Sequence, residues 1–169
     1  GAEVCMHASF GPIRNSQTIG SMVAHLDQEQ HTHWLTGTAA PCTSVFKPLW
    51  VDGGLPDLGP SPTGSYNAAT LWWRHENLHR EILRDYPSRI SDVKLKRDDL
   101  EKIFRSRVAD IGQQSIDSRK KLTQTCFQEA DTAESDWLAA VRAMPIENFR
   151  PLLDRIAWRG FDQQADRPR

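Results

Sequence analysis

The sequence predicts an α+β fold: an antiparallel sheet of about four strands followed by three or four helices packed on it. Three observations carry this reading. Before residue 50, short segments rich in Val, Thr, Trp and Phe alternate with Gly, Pro and Asn, the pattern of strands punctuated by turns. After residue 66, apolar side chains recur at three- and four-residue spacing, the period of a helix with one buried face. The connections between the early segments are too short for a parallel crossover, so they favour an antiparallel meander. Runs of strands followed by runs of helices place the helices on one face of the sheet.

Strands are expected at about Glu3–Ser9, Thr18–Leu26, His33–Gly37 and Thr43–Val51, with Gly11-Pro12 and the polar stretch Asp27–Thr32 as turns. Residues 52–65 hold four Gly and three Pro in fourteen positions, which neither a helix nor a strand sustains, so a loop is expected there. We read it as a connection inside one domain spanning 1–169, because the strands before it need cover. Asn67 is a candidate cap for a helix running to Tyr86 and stopping before Pro87, with Leu71, Trp72, Leu78 and Ile82 on one face. Ser91 or Asp92 can cap a second helix carrying Leu100, Ile103, Phe104, Val108 and Ile111. A third spans about Ser115 to Ala143 and ends before Pro145, and a short last one covers Phe149–Trp158. The polar tail after Gly160 is expected to fray.

Composition narrows the function classes. In 169 residues, 38% hydrophobic and 25% charged content suits a packed core rather than wholesale disorder. A net charge of −1 gives no electrostatic reason to expect nucleic acid or an anionic membrane as partner. No apolar run approaches the ~20 residues that span a bilayer, and no basic segment precedes an apolar one in the manner of a signal peptide. Cys5, Cys42 and Cys126 are odd in number and form no CxxC pair, so a reducing, cytoplasmic setting is expected, with each thiol a small apolar filler.

His75-Glu76-Asn77-Leu78-His79 matches HExxH on an expected helix, where two histidines on one face can hold zinc and the Glu can act as base to a bound water. The charged Arg80 and Glu81 follow it and no HxxGxxH extension appears, while Glu101 or Glu129 are the downstream carboxylates a third ligand would need. The favoured alternative is an amphipathic helix whose His and Glu make local hydrogen bonds, so no metal ligand and no cofactor are expected. His31 and His33 share a strand face, as solvated pairs commonly do.

A more specific pattern runs through separated blocks in a fixed order. These are Cys5-Met6-His7-Ala8, Arg14 with Ser16-Gln17-Thr18, Gly20-Ser21-Met22-Val23, Thr36-Gly37-Thr38, Pro41 and Ser44-Val45-Phe46-Lys47-Pro48, then Leu71-Trp72-Trp73 with His75-Glu76 and Leu78-His79-Arg80. Together they resemble the secernin and bacterial dipeptidase group of cysteine N-terminal-nucleophile (Ntn) hydrolases, densely over residues 4–51 and 71–84. Ile19 departs from the pattern, which has a second Thr there.

The resemblance implies a partial αββα Ntn-hydrolase fold and participation in amide hydrolysis, most naturally of dipeptides. In such enzymes an N-terminal cysteine thiolate attacks the amide carbonyl, and the acyl-enzyme is then hydrolysed. The chain starts at Gly1 and Cys5 matches a family strand residue, so the nucleophile is expected upstream. On this reading the chain is a truncated piece, a processed subunit or a diverged domain, inactive alone, and its partner is the missing N-terminal half. The resemblance also gives the HExxH string an explanation without metal.

No catalytic residue is expected within the chain. On the substrate side, Arg14 can clamp a peptide carboxylate in bidentate fashion or serve as a structural turn arginine. Thr18 and Ser21 can orient substrate through their hydroxyls or act simply as strand formers. Lys47 is read as a solvated edge lysine, and Thr36-Gly37-Thr38 as a bulge or close backbone approach beside the pocket. Two other classes stand beside this one: a non-catalytic module that self-associates through an uncovered sheet face, as a homo-oligomer, and a small zinc protease.

Overall fold

The structure, a computed structural model, describes residues 5–8, 16–28, 31–111 and 114–168. It is α+β. Strands β1 (Met22–His25), β2 (Thr32–Leu35) and β3 (Lys47–Leu49) form an antiparallel sheet in that order. Helices α1 (Leu71–Leu83), α2 (Tyr86–Ile111), α3 (Ile116–Ala143) and α4 (Leu152–Gln164) follow. Register is set by Met22 opposite Leu35 and His25 opposite Thr32 on one side of β2, and by His33 opposite Leu49 on the other. Pro48 sits on edge strand β3, where a missing N–H leaves no ladder bond broken.

Among the described residues the sheet has three strands rather than about four, and all are shorter than expected. Residues 3, 4 and 9 of the expected first strand lie outside the described residues, and 5–8 are not strand. Met6 does meet Thr18: the Thr18 N–H donates to Met6 O at 2.9 Å, and the Thr18 hydroxyl accepts from the Met6 N–H at 2.9 Å. A side-chain oxygen thus takes the place of the backbone acceptor, and the ladder does not propagate. The expected strand from Thr43 begins only at Lys47, because residues 40–44 turn back: Thr43 N–H donates to Ala40 O and Ser44 N–H to Pro41 O. Gly37 has φ +63° with open space around it, so its glycine serves a left-handed turn rather than a close approach.

The loop after β3 is anchored to α1 and to the residue that follows α4. Trp73 Nε1 donates to Thr63 O, and Tyr66 N–H donates to Ala165 O. Gly59 has φ +75°, and a Cβ there would lie 3.1 Å from Ala69 O, so a side chain would be excluded twice over. Thr70 rather than Asn67 caps α1, accepting from Trp73 N–H, while Asn67 Oδ1 accepts from Ala69 N–H in the preceding turn. α2 begins at Tyr86, earlier than Ser91 or Asp92, and takes Pro87 into its first turn, where a backbone N–H would have no helical partner anyway. α3 begins one residue after Ser115, whose hydroxyl accepts from Ser118 N–H.

The tail is not frayed over residues 159–167. α4 runs on to Gln164, Arg167 Nε donates to Asn77 Oδ1 at 2.8 Å, and its Nη1 reaches Asp162. Val45, Leu78, Ile82, Val93, Phe104, Cys126, Ala130, Trp137 and Val141 form the core, where α3 packs against both α1 and β3 and α2 closes over them. No helix is long and apolar enough to cross a membrane among the described residues.

Candidate functional site

The HExxH helix faces inward. His75, Glu76 and His79 are each fully buried, so they do not sit on a polar or half-buried face. The spacing of α1 turns them toward the sheet-side loop and α3 together, and burial obliges them to find partners. His75 uses both ring nitrogens: Nδ1 meets Glu134 Oε2 at 3.0 Å, and Nε2 meets Ser44 Oγ at 3.0 Å and Thr43 Oγ1 at 3.3 Å. Glu76 meets His79 Nδ1 at 3.2 Å, Arg80 Nε at 2.7 Å and Gln17 Nε2 at 3.1 Å. Burial pushes the Glu76 carboxyl up, but His79 and Arg80 outweigh it and hold it at about 2. This is a buried polar network joining α1, α3 and the 36–46 loop.

Neither Glu101 nor Glu129 approaches these histidines through a hydrogen bond. Glu101 accepts from Phe46 N–H, and Glu129 takes a bidentate bond from Arg107. The carboxylate that matters is Glu134. Burial opposes its charge, yet His75 and Lys47 draw its pKa below the ordinary value.

Lys47 is buried rather than solvated, being 1% exposed. Its ammonium donates to Thr36 O at 2.7 Å and Val45 O at 2.8 Å and lies 5.2 Å from the Phe127 ring centroid. Burial pushes its pKa down to about 8, partly opposed by Glu134, Glu101 and Asp131. The turn at Gly37 brings the carbonyls of residues 36 and 45 together around it, which strand pattern alone does not reveal.

Of the expected substrate residues, Arg14 lies outside the described residues. Thr18 is a hub: besides its two bonds to Met6, its carbonyl accepts from Ala40 N–H at 3.0 Å. Ser21 N–H donates to the Thr36 hydroxyl and Ser21 O accepts from Thr36 N–H, extending the β1–β2 pairing by one step. Thr18 and Ser21 thus both tie the segment before β1 to the 36–40 turn.

Two features escaped the sequence reading. Cys5, His7 and Cys42 converge, with one ligand atom from each within 4.8 Å of the others. An arginine-rich cleft of about 590 Å³ also opens between α1 and α4, lined by Arg80, Arg84, Arg150, Arg155, Trp158 and Arg167. There Arg80 stacks over Trp158 and pairs with Asp162 at 2.5 Å, and Arg150 Nη1 is buried without a hydrogen-bond partner. Such a cleft can hold a carboxylate or phosphate. The Arg150, Arg155 and Arg159 spacing was the available signal for it. Comparison of the chain with family models, with curated proteins and with solved structures finds no match.

Proposed function

We propose that this chain is the C-terminal part of a dipeptidase-like amidohydrolase of the cysteine Ntn type. It contributes part of the sheet, its helical cover and the substrate side of the pocket, while another segment carries the cysteine nucleophile. The observation that supports this most is the state of β1. Among the described residues it is an edge strand whose one partner is β2, all four of its residues are exposed, and Ile19, Met22, Val23 and Leu26 present apolar surface along it. The opposite end of the sheet, at β3, is packed under α3. A sheet covered at one end and open at the other suits continuation into a further strand from the catalytic half.

In that arrangement Thr18 and Ser21 lie on the segment entering β1, next to the expected junction, and they and Arg14, which precedes them in sequence, would hold the peptide while the thiolate attacks the amide carbonyl. The acyl group passes to the cysteine sulfur, the amine leaves with a proton, and water releases the acid. The buried HExxH network holds the helical layer that positions this junction.

Co-expression with a segment beginning with a cysteine, taken from the sequence encoded upstream, tests the proposal. The chain alone is expected to show no dipeptidase activity, and the combined halves are expected to hydrolyse dipeptides and to lose that activity when the cysteine is replaced by alanine. Robust hydrolysis by the isolated chain, or halves that neither associate nor hydrolyse, overturns it.

A further inference from the structure

Cys5, His7 and Cys42 are brought together by three hydrogen bonds through one residue. The two Thr18 bonds to Met6 pin the residue between Cys5 and His7, and the ligand atoms of those two residues fall on the same side, within reach of Cys42. The Thr18 carbonyl holds Ala40 N–H, which places the tight 40–44 turn bearing Cys42 against that side. Arg97 bonds the Cys42 carbonyl and fixes the turn from α2. All three side chains are half-buried, so an ion can reach them.

The spacing is that of a metal tetrahedron. Cys42 Sγ lies 3.4 Å from His7 Nε2. Zinc bonds of ~2.3 Å to sulfur and ~2.0 Å to nitrogen at tetrahedral angles give an S···N edge of ~3.6 Å and an S···S edge of ~3.8 Å. The remaining distances, all within 4.8 Å, need a contraction of at most about 1.2 Å. Among the described residues no other set of three His, Cys, Asp or Glu meets this criterion. His79 supplies an independent sign. Its ring packs 6.3 Å from that of His7, Nδ1 is engaged by Glu76, and Nε2 is buried with no hydrogen-bond partner. A histidine oriented through one nitrogen by a carboxylate, with the other unsatisfied, is the form in which imidazoles serve metals.

We propose that Cys5, His7 and Cys42 form a zinc site, with His79 beside it, that clamps the 5–8 segment onto the 40–44 turn. The site is separate from the HExxH pairing, because His75 is committed on both nitrogens. Zinc displaces thiol protons, so uptake releases acid and weakens as pH falls.

The test is titration of reduced, chelator-stripped protein with zinc and with cobalt(II). The expected result is one equivalent bound per chain, with thiolate-to-cobalt charge-transfer and tetrahedral d–d absorption. Cys5→Ser, Cys42→Ser and His7→Ala are each expected to weaken binding by at least about tenfold, and His31→Ala to leave it unchanged. Because a serine variant can fold poorly, the unsubstituted protein carries a second readout. Zinc is expected to protect Cys5 and Cys42 from alkylation while leaving the buried Cys126 unaffected. Absence of saturable one-to-one binding overturns the proposal. So does binding that survives Cys42→Ser, or alkylation of Cys5 and Cys42 in the reduced protein that proceeds equally with and without zinc.

Discussion

Glu134 and His75 meet inside the core, and neither has water to fall back on. Glu134→Ala leaves a buried ring nitrogen of His75 without its hydrogen-bond partner, which costs about 1–3 kcal/mol. Urea denaturation should show that loss, with a smaller one for Glu134→Gln, which keeps an acceptor. The buried carboxylates also set how stability depends on pH. Glu76 is drawn from 4.5 to about 2 by His79 and Arg80, against burial, and Asp85 from 3.8 to about 2, chiefly by the N–H groups of Asn148 and Glu147. Their folded values lie below the unfolded ones, so their contribution is complete above about pH 4.5 and is lost as pH falls toward 2. Asp85→Asn should flatten the acid limb of the stability curve; an unchanged limb would count against the assignment. Lys47 acts at the other end with its own sign. Its pKa falls from 10.5 to about 8, so between these values the unfolded chain binds more protons and stability rises with pH. Lys47→Met should remove that rise.

At the level of elements, legibility followed how local the determinants are. α3 was readable almost to the residue because its apolar period is long, Ser115 caps it and Pro145 follows its end. α4 was cut short because its second half is polar, and what holds it is Asn77, which lies 90 residues away in sequence from Arg167. Arg167→Ala should therefore cost about 1.5–3 kcal/mol, the range for bonds involving a charged group, and should speed amide exchange at residues 161–165; unaltered exchange there would mean that α4 stands without its anchor. The strand region was legible as β but not in its limits, since the 36–46 segment bends around Lys47 and Ser44 by side-chain bonds that no alternation pattern encodes. The HExxH spacing was plain in sequence. Its use was not, because Glu134, Thr43 and Ser44 come from other elements. The thiol pair Cys5 and Cys42 was hidden for the same reason, being brought together by the bonds of Thr18 to Met6 and Ala40.

For the whole molecule, the gross order of strands then helices sufficed to predict the α+β class, and the helical layer does cover the sheet from the β3 end. What that order does not reveal is the asymmetry between its two edges. Among the described residues β1 is the free edge of the sheet and is flanked by Ile19 at 72% and Leu26 at 68% exposure, the state that sheet proteins ordinarily suppress with charge, proline or cover. Met22 and Val23 add to the same surface, at 62% and 54%. An edge of this kind pairs with whatever strand is offered, so the isolated chain should self-associate as its concentration rises. Sedimentation velocity across a dilution series reads this directly. Val23→Lys should return the chain to monomer without loss of helical content, because Val23 lies outside the core and a lysine there blocks edge pairing by charge. On the proposed function, a cysteine-bearing half should do the same by occupying the strand, so that adding it dissolves the self-associated form and yields a one-to-one complex. Val23→Lys should then weaken that complex too. If the unsubstituted chain stays monomeric at every concentration, the edge is not adhesive and the argument from β1 fails. If Val23→Lys abolishes self-association yet leaves the heterologous complex at full strength, the two halves meet elsewhere, and the sheet does not continue across β1.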